Sequence, residues 1–172
     1  GFLPCISTIA PAKAEKFMNE MIDIKNELYS NGYFQLQFSI HSTDEQTRRK
    51  VIPYDIWSLE EIANYGDSYW KKGDRKMTLN FAAEKSNPLE PEKLVEIFDP
   101  KRFFLKITPI NPTGIAKAHS LQSMISVETG EFAKNKIKSF EDLGFEVLLS
   151  IGELEENHIG EDPKKYVRLK RL

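Results

Sequence analysis

The chain has 172 residues, 24 Lys+Arg against 26 Asp+Glu, 40% hydrophobic residues and a single cysteine. The length fits one domain, and the apolar fraction supports a core and excludes a disordered chain. A net charge of −2 excludes a globally basic nucleic-acid binder, and a lone Cys5 cannot form an internal disulfide, a four-cysteine zinc site or, alone, an iron–sulfur cluster.

No apolar stretch is long enough to span a bilayer and no charged-then-apolar leader is present, so no membrane partner and a reducing, cytoplasmic setting are expected. The chain opens Gly1-Phe2-Leu3-Pro4, without methionine and directly in an apolar run, which suggests a start inside something larger.

The hydrophobic period switches repeatedly between two and 3.6. Phe2 to Ile6 is a short apolar run that ends at Ser7-Thr8, and it reads as a first strand that buries Cys5 as an inert thiol. From Lys13 to Tyr29 the residues Phe17, Met21, Ile24 and Leu28 recur at i, i+4, i+7 and i+11, which predicts one apolar helix face. Asn31-Gly32 stops that helix. Phe34 to Ile40 alternates strictly and predicts a strand. Asp44-Glu45 with Arg48-Arg49-Lys50 reads as a solvated helical turn with i,i+4 pairs.

Ser58 and Glu61 form an S-x-x-E capping box that starts a second long helix, with Leu59, Ile62 and Ala63 on its buried face and Lys72-Gly73-Asp74 closing it. Arg75 to Ala83 is a third strand through Met77, Leu79 and Phe81. Pro91 opens a short helix through Leu94, Ile97 and Phe98. Phe103 to Thr108 is a fourth strand, followed by a long loop from Asn111. Glu128 to Leu143 predicts a helix with Ala133, Ile137 and Phe140 inward and Gly144 at its end. Phe145 to Ile151 is a fifth strand.

Five strands alternating with helices predict an α/β fold, a parallel sheet with outer helices. No linker divides residues 1–160. Residues 161–172 carry Lys164, Lys165, Arg168, Lys170 and Arg171 against Glu161 and Asp162, a basic appendage and the one candidate RNA-contacting patch. A solvated tail is its plainer reading.

Ligands in parallel α/β folds bind at the carboxyl ends of strands. Those ends are Ser7-Thr8, Ser39-Ile40-His41-Ser42, Glu84 to Asn87, Thr108 to Pro112, and Ser150 to Glu153. Any single polar end means little, because strands commonly give way to polar loops. Five on one rim suit a polar small molecule with hydroxyls and an amino-acid-like end. Walker A, G-x-G-x-x-G, G-x-S-x-G and H-E-x-x-H patterns are missing. His119 and His158 read as surface or loop residues.

Ser39-Ile40-His41-Ser42-Thr43-Asp44-Glu45-Gln46-Thr47-Arg48-Arg49-Lys50-Val51-Ile52-Pro53 resembles the S-L-H-A-x-N/D-D/E-x-x-R-x-x-I/L-x-P segment of RlmN/Cfr-type radical S-adenosylmethionine enzymes, adenine methyltransferases of ribosomal RNA with relatives acting on transfer RNA. Ile6 to Pro11 resembles the family's V/L-S-T-x-G-x-x-P, Lys106 to Pro112 its N-L-I-P-x-N-P, and Leu143 to Val147 with Gly152 its closing strand, all in the family's order. The resemblance covers about residues 1–160 and implies the C-terminal portion of a radical SAM partial (β/α) barrel.

The resemblance also implies that Ser7, Ser39, Ile40, His41 and Asn111 contact S-adenosylmethionine, Ile40 through its backbone. It implies a four-iron four-sulfur cluster in the parent protein that reduces S-adenosylmethionine to a 5′-deoxyadenosyl radical, and RNA as the parent's substrate. The family's C-x-x-x-C-x-x-C, Gly-Glu pair and C-G-Q cysteine have no counterpart here. Lys106 stands where the family has Asn, and Asn80 where it has Glu. The chain alone is therefore expected to be inactive and to carry no metal ligands or catalytic residues of its own. Two alternatives remain open: a radical SAM enzyme with another target, such as an activating enzyme, and a cluster-free, non-enzymatic binding module. In an incomplete barrel, self-association through exposed sheet edges is expected.

Overall fold

A computed structural model describes residues 2–84, 86–109 and 130–150. Over these residues five strands form one parallel sheet in the order β1-β2-β3-β4-β5. In chain order the elements are β1 (Cys5–Thr8), a 3-10 turn (Ala12–Ala14), α1 (Glu15–Leu28), β2 (Gln35–Ser39), α2 (Glu45–Val51) and α3 (Leu59–Tyr69). There follow β3 (Met77–Ala83), α4 (Pro91–Ile97), β4 (Phe103–Pro109), α5 (Gly130–Asp142) and β5 (Val147–Leu149). The α/β class and the parallel sheet expected from the alternation are both present. No helix among the described residues is long and apolar enough to cross a membrane.

Paired residues of neighbouring strands share a face, and alternate residues of one strand switch faces. One face of the sheet carries Leu36, Phe38, Leu79, Phe81, Leu105 and Ile107, all buried. Met18 and Met21 of α1, Leu59, Ile62, Tyr65 and Tyr69 of α3, Leu94 of α4 and Phe140 of α5 pack into the same core. Each fully buried Phe or Leu contributes roughly 1.5–3 kcal/mol of transfer free energy. The sequence boundaries hold well where caps define them. Ser58 and Glu61 close the capping box reciprocally, Pro91 is in the first turn of α4, and Gly144 follows α5 at φ +92°.

Helix α1 departs from its expected face. Phe17, Ile24 and Leu28 are 53%, 48% and 65% exposed, whereas Met18, Met21 and Lys25 are buried. The inward stripe is turned because position 25 points a lysine into the core. Lys25 Nζ donates to the Tyr69 carbonyl at 2.9 Å, pairs with Asp74, and lies 4.7 Å from the centre of the Tyr69 ring. Apolar counting skips a lysine, so it selected a neighbouring stripe. On α5, Phe140 is fully buried and Ile137 half-buried; Ala133 lies outside the residues whose side chains are described.

Gly66, in the middle of α3, sets how closely that helix approaches the sheet. A Cβ there would stand 2.3 Å from Phe103 Cζ and 3.0 Å from Met77 Cε. Helix propensity alone favours Gly→Ala by about 1 kcal/mol. Overpacking against a fixed ring costs about 1–3 kcal/mol, and the severity of this contact puts it at the upper end. Gly66→Ala is therefore expected to lower stability in urea unfolding; an unchanged or raised midpoint contradicts that packing.

Candidate functional site

The second face of the sheet is polar over β1 and β2 and mixed over β3 and β4. From β1 to β4 it presents Cys5 and Ser7, then Gln35, Gln37 and Ser39, then Thr78, Asn80 and Ala82, then Phe104, Lys106 and Thr108, with register pairs Ser7↔Gln37, Ser39↔Asn80 and Asn80↔Lys106. Central strands of parallel sheets covered on both sides read as continuous apolar runs. β2 instead alternates, and that alternation assigns its second face to polar company. The side chains are linked across the strands. Gln37 Nε2 donates to Cys5 Sγ at 2.9 Å, Asn80 Nδ2 to Gln37 Oε1 at 2.9 Å, and Gln35 Nε2 to Thr78 Oγ1 at 3.1 Å.

Cys5 corrects the expectation of a buried thiol. The strand runs over Cys5–Thr8 rather than Phe2–Ile6, which turns Cys5 and Ser7 onto the polar face, and the cysteine is exposed. Phe2 and Leu3 lie before the strand and are exposed as well. The apolar run belongs partly to the approach to β1, which composition alone does not separate from the strand.

The site residues expected at the strand ends occupy neighbouring strands. Ser7 is exposed on β1. Ser39 ends β2, half-buried and paired in register with Asn80. Ile40 points its side chain into the core, and its N–H donates to the Asn80 carbonyl at 2.9 Å, so its carbonyl is what it can offer a ligand. His41 follows at φ +67°, a left-handed conformation uncommon outside glycine and tolerated best by Asn, Asp and His. Asn111, His119, His158 and the basic residues of 161–172 lie outside the described residues.

The loop that carries His41 is held tightly on both sides. Ser42 and Thr43 hydroxyls both donate to the Pro88 carbonyl, at 3.0 and 3.2 Å, and Thr43 Oγ1 accepts from the Glu90 N–H at 3.0 Å. Asp44 caps α2, accepting from the Thr47 N–H and hydroxyl, each at 2.8 Å. Those bonds hold its carboxyl below the usual carboxylate range.

The reading of a solvated turn over residues 44–50 is corrected here. Arg48 is 0% exposed. Its Nη1 donates to the Trp57 carbonyl at 2.6 Å, and Glu45 Oε1 accepts from the Leu59 N–H at 2.5 Å. One turn of α2 is thus riveted to the start of α3. Only the Glu45–Arg49 pair, at 3.8 Å, behaves as the expected surface contact. Spacing could not reveal this, because Arg48 and Arg49 look alike until the helix is docked.

Burial lowers the pKa of His41, the Arg48 charge lowers it further, and Glu84 opposes both. The imidazole is therefore neutral near pH 7 and offers one donor and one acceptor nitrogen. A folded-state pKa below the unfolded value near 6.5 means that the unfolded chain takes up the proton first. The stability this group contributes is complete above about pH 6.5 and declines as pH falls toward the lower, folded value. His41→Asn, which keeps the left-handed backbone, is expected to shrink the loss of urea midpoint between pH 7.5 and 5.5. An unchanged loss contradicts the assignment.

Among the described residues, no group of three His, Cys, Asp or Glu side chains is placed to hold a metal ion. The groups gathered on this face are hydrogen-bonding ones: hydroxyls, side-chain amides and a backbone carbonyl. Sequence reasoning named Ser7, Ser39, Ile40 and His41, which the fold brings to neighbouring strands, but not the Cys5–Gln37–Asn80 ladder on the same face, which the polar alternation of β2 could have disclosed.

No protein-family model matches the chain. It resembles dual-specificity RNA methyltransferases of the RlmN type. It is 27% identical over 144 residues to a probable RlmN of Clostridium acetobutylicum, a match covering 78% of this chain and 41% of that protein. It is 28% identical over 113 residues to one of Thermotoga petrophila, covering 63% and 30%. A solved structure of a radical SAM methyltransferase from Sphaerobacter thermophilus superimposes with a TM-score of 0.63 at 17% identity, over 87% of this chain and 40% of that one. The chain thus shares its fold with part of that structure. The chain spans between about a quarter and two-fifths of the length of the curated relatives it matches.

Proposed function

We propose that the chain holds part of the S-adenosylmethionine site of a radical SAM enzyme that methylates adenine in RNA. The observation that carries this reading is the polar face that runs from Ser7 through Gln37 and Ser39 to Asn80 and ends at the pinned Ile40–His41 turn. The resemblance to RlmN-type proteins supports the substrate class.

S-adenosylmethionine fits these residues. Its ribose hydroxyls and methionine end need donors and acceptors at strand ends, which Ser7, Ser39, neutral His41 and the Ile40 carbonyl offer. Asn111 is proposed to join them. The residues position and orient the cofactor; they do not perform its chemistry. A four-iron cluster does not fit this chain. Such clusters are held by several cysteine thiolates, and the sequence has one, on β1 and bonded to Gln37. Anaerobic reconstitution with iron and sulfide is expected to give no cluster absorbance, and a stoichiometric, redox-active cluster contradicts the reading.

Equilibrium dialysis with labelled S-adenosylmethionine tests the proposal. One saturable site is expected, weakened on the order of tenfold in Ser39→Ala, the equivalent of about 1.4 kcal/mol for a lost hydrogen bond. No saturable binding at millimolar ligand, or binding indifferent to Ser39, contradicts it. The cysteine count favours one other reading, a cluster-free module that binds a nucleotide-like ligand; ATP binding as tightly as S-adenosylmethionine would select that reading.

A further inference from the structure

We infer that the cleft between the end of β1 and the turn after α2 docks single-stranded RNA, with a base against Tyr54 and a phosphate on Lys13. The inference rests on the RNA-methylating reading and deepens it, naming where this chain meets the substrate strand. The cleft has a volume of about 460 Å³ and is lined by Ile9, Pro11, Lys13, Tyr54 and Asp55. It begins one residue past Thr8, the last residue of β1, so it opens on the rim that carries Ser7, Ser39 and His41.

The walls of the cleft are fixed by backbone bonds. The Ala12 N–H donates to the Asp55 carbonyl and the Trp57 N–H to the Ala10 carbonyl, each at 2.9 Å, and Pro11 bridges to Ile56. Ala10 itself is fully buried at φ +54°, and its N–H donates to Thr8 Oγ1 at 3.0 Å. A left-handed non-glycine residue persists only where its surroundings over-determine it. Preorganised walls lose little conformational freedom when a ligand binds.

Tyr54 is the group this frame presents. It is 69% exposed between the buried Ile52 and Ile56. A solvent-facing ring beside Ile9 and Pro11 offers a platform to a flat ring, and every nucleobase has a face that stacks on one. The surrounding charges select the occupant. In residues 9–16 and 49–56, Lys13, Lys16, Arg49 and Lys50 stand against Glu15 and Asp55, a cationic surplus in a chain of net charge −2. All four cations are exposed. An apolar peptide has no use for that surplus, whereas a phosphate backbone is drawn to it.

Fluorescence anisotropy of the whole chain with a labelled oligoadenylate of about eight nucleotides tests the surface. Saturable binding is expected. Tyr54→Ala is expected to weaken it about tenfold, and Tyr54→Phe, which keeps the ring, less than twofold. Lys13→Met is expected to reduce the slope of log affinity against log salt by about 0.7, the share of one phosphate on a single strand. Circular dichroism checks that each variant is folded. Equal affinity in wild type, Tyr54→Ala and Lys13→Met overturns the surface and leaves the RNA reading standing. A loss in Tyr54→Phe as large as in Tyr54→Ala overturns the stacking role. No binding at low salt overturns the surface and removes RNA as a partner of this chain, while dialysis with S-adenosylmethionine decides the cofactor reading separately.

Discussion

Replacing Asp74 with alanine is expected to remove about 3–5 kcal/mol of stability, the usual cost of stranding a buried charge. Lys25 is 1% exposed and the Asp74 side chain 8%, so water cannot take over the ammonium when the carboxylate is gone. What remains around Lys25 Nζ is the Tyr69 carbonyl and the Tyr69 ring. Asp74 also accepts from the Lys71 N–H at 3.0 Å, so the turn between α3 and β3 loosens with it. The double variant Lys25→Met/Asp74→Ala is expected to lose less than Asp74→Ala alone, because it leaves no charge behind. Urea unfolding of the two single variants and the double variant gives the coupling. A loss below about 1 kcal/mol in Asp74→Ala would show that solvent reaches this pair.

Arg48→Ala ranks second. It opens a cavity where a long, fully buried side chain stood, a change that costs about 2–5 kcal/mol for a side chain of similar length. It also strands the Trp57 carbonyl, whose bond to a charged donor is worth about 1.5–3 kcal/mol. The two terms overlap, and a loss of about 3–5 kcal/mol is expected. Arg48→Met separates them: it keeps most of the packing and loses the hydrogen bond, so its cost falls between wild type and alanine. Because α2 anchors the loop that presents His41, both variants are also expected to weaken S-adenosylmethionine binding, Arg48→Ala more. Stability unchanged in Arg48→Ala would mean that the α2–α3 junction holds without its arginine.

How much of this was legible in the residues follows from what each signal measures. Strand and helix order was readable because apolar period and caps act locally: Ser58, Pro91 and Gly144 each mark the boundary their chemistry predicts. The α1 face was misread because a buried lysine registers as polar until its partner Asp74, far along the chain, is placed beside it. The Asp44–Arg48 turn was misread for a related reason. A cap, a riveted glutamate and a buried arginine share a composition with a solvated turn, and only docking on Trp57 and Leu59 distinguishes them.

The rim of the candidate site was legible, since Ser7, Ser39 and His41 fall where strands end. The ladder through Cys5, Gln37 and Asn80 was not drawn, because it depends on register between three strands. Yet its sign was present in the alternation of Gln35, Gln37 and Ser39 with Leu36 and Phe38. An internal strand of a parallel sheet has reason to alternate only if its second face meets something polar.

The central claim is that this second face, with the rim at Ser39–His41, receives S-adenosylmethionine. Titrating the isotopically labelled chain with S-adenosylmethionine and following its amide and side-chain resonances tests it most directly. The expected result is a saturable set of shifts at Ser7, Ser39, Ile40 and His41 and at the side-chain amides of Gln37 and Asn80, with α3 and α4 unmoved. Saturable shifts confined to the helix face, or none at millimolar ligand, would contradict it.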